Sequence, residues 1–326
     1  AYITQKDLIS GQDAQNKISN LEIQKEVSRS ESELSVLEQK AQIQNLEISR
    51  QKTIRNAFAS VGLLIIALGL ALYYNIRARN KALEEENKRK QEELEAALQL
   101  QLSMLPKENP ETESYISAAS MNAAETVGGD YYDFFQQDDG SLSVVCGDAT
   151  GHGMTAGMMV SITKAGLYGI PAIPTDQITN RLNRVIKNIE LGTNRMALNV
   201  SYFKNGEVQF TSAGMPPAYH YISSTGQVKE ILQVGLPLGG IQGERYSQEE
   251  HPFESGDTMV FLSDGLPEAE NAAGEMLGYE AVMDCIKHNK NEDPESIKNT
   301  LLDLGDNWLN GVPLQDDITI VVVKKM

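Results

Sequence analysis

Four short segments of this chain set aspartate beside glycine or a second aspartate. They are Gly128-Gly129-Asp130-Tyr131-Tyr132-Asp133-Phe134, Gly147-Asp148-Ala149-Thr150-Gly151-His152-Gly153, Ser263-Asp264-Gly265 and Gln315-Asp316-Asp317-Ile318-Thr319. Three share a design. Val144-Val145-Cys146 leads into Asp148, Met259-Val260-Phe261-Leu262 leads into Asp264, and Asp316-Asp317 precede the β-branched run 318–323. Any one such Asp can simply make a turn or a cap. Several at strand junctions, with glycines that let backbone and cations approach, form a rigid acidic cluster if the strands are neighbours. Carboxylates within about 5 Å of one another cannot all stay ionised without protons or cations. Oxygen-only ligands select hard ions, Mg²⁺ or Mn²⁺, over zinc. Two such ions can lower the pKa of a shared water and stabilise in-line attack on phosphorus, so the pattern predicts metal-assisted phosphoryl hydrolysis.

Other chemistries have less to stand on. Cys146 and Cys285 are too few for a disulfide framework or a cysteine zinc site, and neither sits in a phosphate-cradling loop. The 28 Lys and Arg stand against 45 Asp and Glu, a net charge of −17 that excludes nucleic acid as a partner. The charge is also localised. Residues 1–106 carry 14 basic and 14 acidic side chains, so the whole surplus lies in residues 107–326, together with nearly all the glycine. Two different materials meet near Pro106.

The elements that must position the aspartates follow from hydrophobic patterning. Strands are predicted at Leu142–Cys146, Met196–Phe203, Val208–Thr211, Ala218–Ile222, Val228–Leu232, Thr258–Leu262 and Ile318–Val323. Helices are predicted at Met154–Leu167, Asp176–Ile189, Tyr279–His288 and Pro294–Leu309. Strands run consecutively with helices before and after, which is an α+β arrangement with antiparallel sheets, not a wound parallel sheet.

With these motifs in order, residues 115–326 resemble the SpoIIE-type serine/threonine phosphatases of the PP2C (PPM) family. The shared stretches are Glu125 to Phe134, Gly147 to Gly153 with Ala156, Ser212-Ala213-Gly214-Met215-Pro216-Pro217, Gly235-Leu236-Pro237-Leu238-Gly239, Ser263-Asp264-Gly265 and Asp316-Asp317-Ile318-Thr319. The resemblance implies an αββα sandwich of two antiparallel sheets flanked by helices, with two Mn²⁺ or Mg²⁺ ions in a cleft at one edge. It implies phosphoserine or phosphothreonine on a protein as substrate, in relatives often a small regulator of sigma-factor partner switching. Carried over by position, Asp148 matches the ion-bridging aspartate. Asp264 and Asp316 match the ligands that complete one metal, Asp130 serves the second, and the Ala149 carbonyl matches a backbone ligand. Asp317, adjacent to Asp316, is an alternative ligand, and Asp133 and His152 are further candidates, His152 as a general acid or, more simply, a turn residue. The phosphate-holding arginine of larger family members has no counterpart near Asp130, so phosphate capture falls to the metals. The histidine usual in the 212–217 stretch is Met215 here.

The N-terminal part reads as an anchor and a shaft. Residues 56–76 contain no charge, and as a helix they reach about 31 Å, the thickness of a bilayer core. Tyr73 and Tyr74 suit an interfacial belt. Arg50, Lys52 and Arg55 precede the segment, whereas Arg77, Arg79, Lys81, Lys88, Arg89 and Lys90 follow it, which places the C-terminal part in the cytoplasm. Residues 1–55 read as one or two helices on the other side. Residues 77–105 form a charged linker helix, in which Leu94, Leu98, Gln101 and Leu105 suit a coiled-coil seam with a second copy. It contains no histidine, as a sensor histidine kinase would require. Pro106 and Pro110 stop it, and residues 107–326 are the phosphatase domain. The expected protein is therefore a single-pass, homodimeric membrane phosphatase in bacterial signal transduction. The alternative is an inactive PP2C-fold interaction module, which should have lost one or more of the ligand aspartates.

Overall fold

The structure, a computed structural model, describes residues 3–124, 127–151 and 153–326, with side chains from residue 14 onward. The helical segments expected before Pro106 run on as one helix, α1 (Ile3–Met104). No proline interrupts it, and glycine occurs only at 11, 62 and 69. Contacts divide the chain into two units, residues 1–86 and 87–326. The first is helix alone. It carries the apolar stretch, long and apolar enough by length and composition to cross a membrane, with Leu63, Leu64 and Ile65 exposed.

The second unit contains the final turns of α1 followed by β1 (Tyr115–Asn122), β2 (Asp130–Gln136), β3 (Leu142–Ala149), α2 (Met154–Gly169), α3 (Thr175–Ile189), β4 (Met196–Lys204) and β5 (Glu207–Ala213). Next come β6 (Ala218–Ile222), β7 (Gln227–Ile231), β8 (Glu249–Pro252), β9 (Thr258–Leu262), α4 (Tyr279–Asn289), α5 (Pro294–Leu309) and β10 (Ile318–Lys325). Two five-stranded sheets result, in the orders β1-β10-β9-β6-β7 and β2-β3-β4-β5-β8, with every pairing antiparallel. This is the expected αββα sandwich.

Strand alternation sorts the side chains into three layers. Cys146, Phe203, Phe210, Phe261 and Val321 fill the space between the sheets. Val145, Leu198 and Val200, on the opposite face, pack against Met159 and Val160 of α2 and Leu182 of α3. Val260, Ile320 and Val322 do the same against Val282 of α4 and Leu301 of α5. The helices have local reasons to start and stop where they do. Asp293 accepts from the Ser296 amide at 3.0 Å ahead of Pro294, and Asn310 ends α5 in the left-handed conformation.

Three strands had no sequence expectation: β1, β2 and β8. β1 (YISAASMN) and β8 (EEHP) lack a clean apolar alternation, and their pairing with β10 and β5 supplies what propensity does not. β2 begins at Asp130 itself, so what the sequence shows as a loop motif is the first residue of a strand.

Candidate metal centre

Sheet pairing brings the aspartates together from both layers of the sandwich. β2 and β3 pair with Asp130 directly opposite Asp148. In the other sheet Leu262 pairs with Ile320, so Asp264 just beyond β9 lies beside Asp316 just before β10. The Ser263 amide donates to the Thr319 carbonyl at 3.1 Å and closes that end. Two glycines allow the close approach. A Cβ on Gly129 would meet the Ala149 carbonyl oxygen at 2.5 Å, and one on Gly265 would collide with the Asp317 backbone.

The cluster is electrostatically strained. Burial, then the charges of Asp264, Asp316 and Asp317, push the Asp148 carboxyl up to about 7. Burial, then Asp316 and Glu268, push Asp264 up to about 6. Asp130 is 1 % exposed. Burial and the neighbouring Asp148 hold it well above the ordinary carboxylate range, although the Ser263 hydroxyl favours its charged form. Like charges gathered without a cation produce this pattern, and perturbed carboxyls in a cleft mark functional sites. A cavity of about 240 Å³ opens beside the cluster, lined by Asp264, Asp316, Glu268, Glu270 and Met276 among others.

These residues fit a pair of hard divalent ions in chemistry: every donor is oxygen, and the charge needs neutralising. Among the described residues, no three His, Cys, Asp or Glu side chains converge closely enough to hold an ion by themselves. The carboxylates would therefore share the task with backbone oxygen and with water, which Mg²⁺ retains readily.

The structure separates candidates that adjacency in sequence leaves together. Asp317 is 5 % exposed, and both its oxygens are taken. Oδ1 accepts from the Ala124 amide at 2.8 Å, and Oδ2 from the Gly129 amide at 2.6 Å. It ties the Ala124 and Gly129 amides together. Asp316 is exposed, and one of its oxygens accepts from the Asp317 amide at 2.8 Å. Asp133 is not brought to the cluster. It lies on the opposite face of β2 from Asp130, where it accepts from the Tyr131 hydroxyl at 2.8 Å and pairs with Lys164 at 2.6 Å. His152, Glu125 and Thr126 fall outside the described residues.

Some of the supporting residues were not anticipated. Ser263 Oγ donates to Asp130 at 2.8 Å and accepts from the Thr319 amide at 2.9 Å, so it ties the two sheets at the site. Its position beside Asp264 was the only hint. Gln101 is 3 % exposed; its Nε2 donates to the Gly128 carbonyl at 2.7 Å and its Oε1 accepts from the Gly128 amide at 3.1 Å. Lys164 donates to the Met104 carbonyl at the end of α1. Gln101 and Leu105, expected in an interhelical seam, make contacts within the domain. The physical reason is specific: one side-chain amide satisfies both backbone groups of a glycine that would otherwise be buried unpaired. Cys146 is buried, and burial with the Asp130 and Asp148 charges pushes its thiol well up, which disqualifies it as a nucleophile.

The family described as Stage II sporulation protein E (SpoIIE) matches residues 138–325. Phosphoserine phosphatase RsbU of Bacillus subtilis (strain 168) is 27% identical over 278 residues, covering 83% of this chain and 80% of RsbU. The SiaA-PP2C domain of Pseudomonas aeruginosa superposes with a TM-score of 0.64 at 18% identity, over 73% of this chain and 98% of that domain. The catalytic domain of the serine threonine protein phosphatase PstP, solved with 2 manganese ions, superposes with a TM-score of 0.50 at 14% identity, over 65% of this chain and 99% of that domain.

Proposed function

This chain belongs to the SpoIIE family of PP2C-type serine/threonine phosphatases, and from that premise we propose that it hydrolyses phosphoserine or phosphothreonine on a regulatory partner protein with two Mn²⁺ or Mg²⁺ ions. The observation that carries this reading is the gathering of carboxylates at one edge of the sandwich, Asp130 opposite Asp148 and Asp264 beside Asp316. Burial and then neighbouring carboxylates raise Asp130, Asp148 and Asp264 there, a burden that a pair of divalent cations would relieve. Asp148, Asp264 and Asp316 would hold one ion together with water, and Asp130, Asp148 and the Ala149 carbonyl the other. When bound, the ions supply an activated water and neutralise charge on the phosphoryl oxygens. The chain's own residues do the rest. Ser263 orients Asp130, Asp317 holds the Gly129 amide, and Gly129 and Gly265 keep the approach narrow. No cysteine attacks and no phosphoenzyme forms. An inactive interaction module is not favoured, because none of the ligand aspartates is missing.

Residues 107–326 are the catalytic domain in this reading, 56–76 a membrane span, and 77–105 a linker that signals between them. The charge flanking the span supports a cytoplasmic domain. Support for control by the linker is the Gln101–Gly128 pair, which joins the end of α1 to the loop that precedes Asp130. The name of the RsbU relative supports a phosphoserine substrate, and homodimerisation through the linker would make it a two-state element.

The test is release of phosphate from phosphoserine and phosphothreonine peptides by the full chain, with Mn²⁺, with Mg²⁺ and with chelator. Release that needs a divalent ion is expected. Equal release in chelator, or none with either ion from a folded chain that binds them, would contradict the proposal.

A further inference from the structure

Behind the carboxylates, between the two sheets, lies a polar group the fold leaves without a partner. Asn199 sits in the middle of β4 and is 1 % exposed. Alternation along β4 places it with Ala197 and Phe203 on the face between the sheets. Its Oδ1 and Nδ2 both lack a hydrogen bond, and among the described residues it alone has both ends of a side-chain amide buried and unpaired. The residues opposite it on the neighbouring strands are Cys146 on β3 and Ser212 on β5, and the Ser212 and Ser201 hydroxyls are also unpaired. Other buried amides in the domain are satisfied. Asn183 donates to the Ile241 carbonyl at 3.1 Å and accepts from the Gly239 amide at 2.7 Å, and Gln233 accepts from the Ser212 amide at 2.6 Å. A buried amide offers two donors and two acceptor sites, and groups of this kind nearly always find protein or ordered water.

Its position gives the anomaly a meaning. Asp148 pairs with Ala197, two residues along β4 from Asn199 and on the same face. Ala197 puts only a methyl group between them. Diagonal neighbours on a sheet are about 7–8 Å apart, too far for short polar side chains to meet directly, and the space left between their tips is of the size ordered water fills. Asp130 faces Asp148 across the next pair of strands.

We propose that Asn199, with the Ser212 and Ser201 hydroxyls, encloses ordered water that hydrogen-bonds Asp148 from inside the sandwich, making Asn199 a positioning residue for the metal centre. This rests on the metal reading above. Supporting partners of metal ligands change affinity by about 10- to 100-fold when removed. A buried amide with no such role can instead be replaced by an apolar group of similar shape at little cost.

The experiment is calorimetric titration of Mn²⁺ into the full chain, parent, Asn199→Leu and Asn199→Ser, with melting temperatures of the metal-free proteins. Asn199→Leu should weaken Mn²⁺ binding by about 10- to 100-fold while the metal-free melting temperature stays level or rises. Asn199→Ser, which keeps a hydroxyl and makes room for another water, should bind more tightly than Asn199→Leu. Parent-like binding by Asn199→Leu overturns the proposal, as does equal loss in both variants. Should Asn199→Leu fail to fold, Asn199→Ser against Asn199→Ala decides: tighter binding by the serine variant supports hydration, and equal affinities overturn it. A parent that binds no Mn²⁺ removes the metal reading and this one with it. A parent that binds, beside an equally good leucine variant, removes this one alone.

Discussion

The two ends of strand β9 carry the same residue type in opposite circumstances. Asp257 immediately precedes the strand and Asp264 lies just past its end. Burial pushes Asp257 up, but the amides of Ser223 at 2.7 Å and Glu254 at 3.0 Å, together with His220 at 3.3 Å, outweigh it and leave the carboxyl below its ordinary value. At Asp264 burial, then Asp316 and Glu268, outweigh the support of its own amide and that of Gly265, and the carboxyl is pushed up to about 6. One end of the sandwich is finished by its own hydrogen bonds, whereas the other gathers carboxylates beside one another. A buried carboxylate is therefore not a site because it is acidic or enclosed. It is a candidate when its neighbours are other carboxylates and its charge is left for something else to balance.

The contrast can be broken most sharply at the finished end. Asp257→Ala leaves two part-buried amides and the buried His220 without their acceptor, so a stability loss of about 2–3 kcal/mol is expected by denaturant titration, with Mn²⁺ affinity unchanged. A loss of Mn²⁺ binding there would erase the distinction between the two ends. At the unfinished end, Asp316 and Asp317 should separate. Asp316→Asn should weaken Mn²⁺ binding by at least about 10-fold at little cost to the metal-free melting temperature. Asp317→Asn should lower that temperature, because its oxygens serve the loop amides. The reverse assignment would show that the role of Asp317 has been misread. Gln101→Ala unpairs both backbone groups of Gly128 and should cost about 1–3 kcal/mol; an unchanged stability would remove the structural link between α1 and the Asp130 loop.

The smallest effect is in pH. Asp148 and Asp264 keep protons in the folded state that the unfolded chain has already released, so the stability they contribute is present below about pH 4. It is lost as pH rises toward 6 and 7, the values to which the two groups are pushed. The difference between parent and Asp148→Asn in chelator should therefore grow in favour of the variant across that range, and Mn²⁺ should abolish it. A flat difference would mean that the carboxylates do not repel in the folded protein.

Most of the acidic cluster was legible in the sequence, because aspartates at the ends of apolar runs mark both the strand and where it stops. Asp148, Asp264 and Asp316 each follow or precede such a run, and sheet order then did the gathering. What stayed hidden depends on partners distant in sequence. Asp133 carries the same Gly-Asp-Tyr-Tyr-Asp context as Asp130, and only the period of two along β2 sends it to the other face, toward Lys164. Since β2 itself was not anticipated, that alternation could not be applied. Gln101 fits a heptad as well as it fits Gly128, and nothing local distinguishes a seam from a docking contact. Ser263 looks like a turn residue until Asp130 arrives from the other sheet, 133 positions away.

The central claim is that the unbalanced end of the sandwich holds divalent ions through Asp148. Calorimetric titration of Mn²⁺ into the full chain and its Asp148→Asn variant tests it most directly, with metal-free melting temperatures alongside. The expected result is binding of two ions by the parent, a loss of at least about 100-fold in the variant, and a metal-free variant as stable as the parent or more so. Equal Mn²⁺ affinity in the two proteins, or no binding by a folded parent, would contradict it.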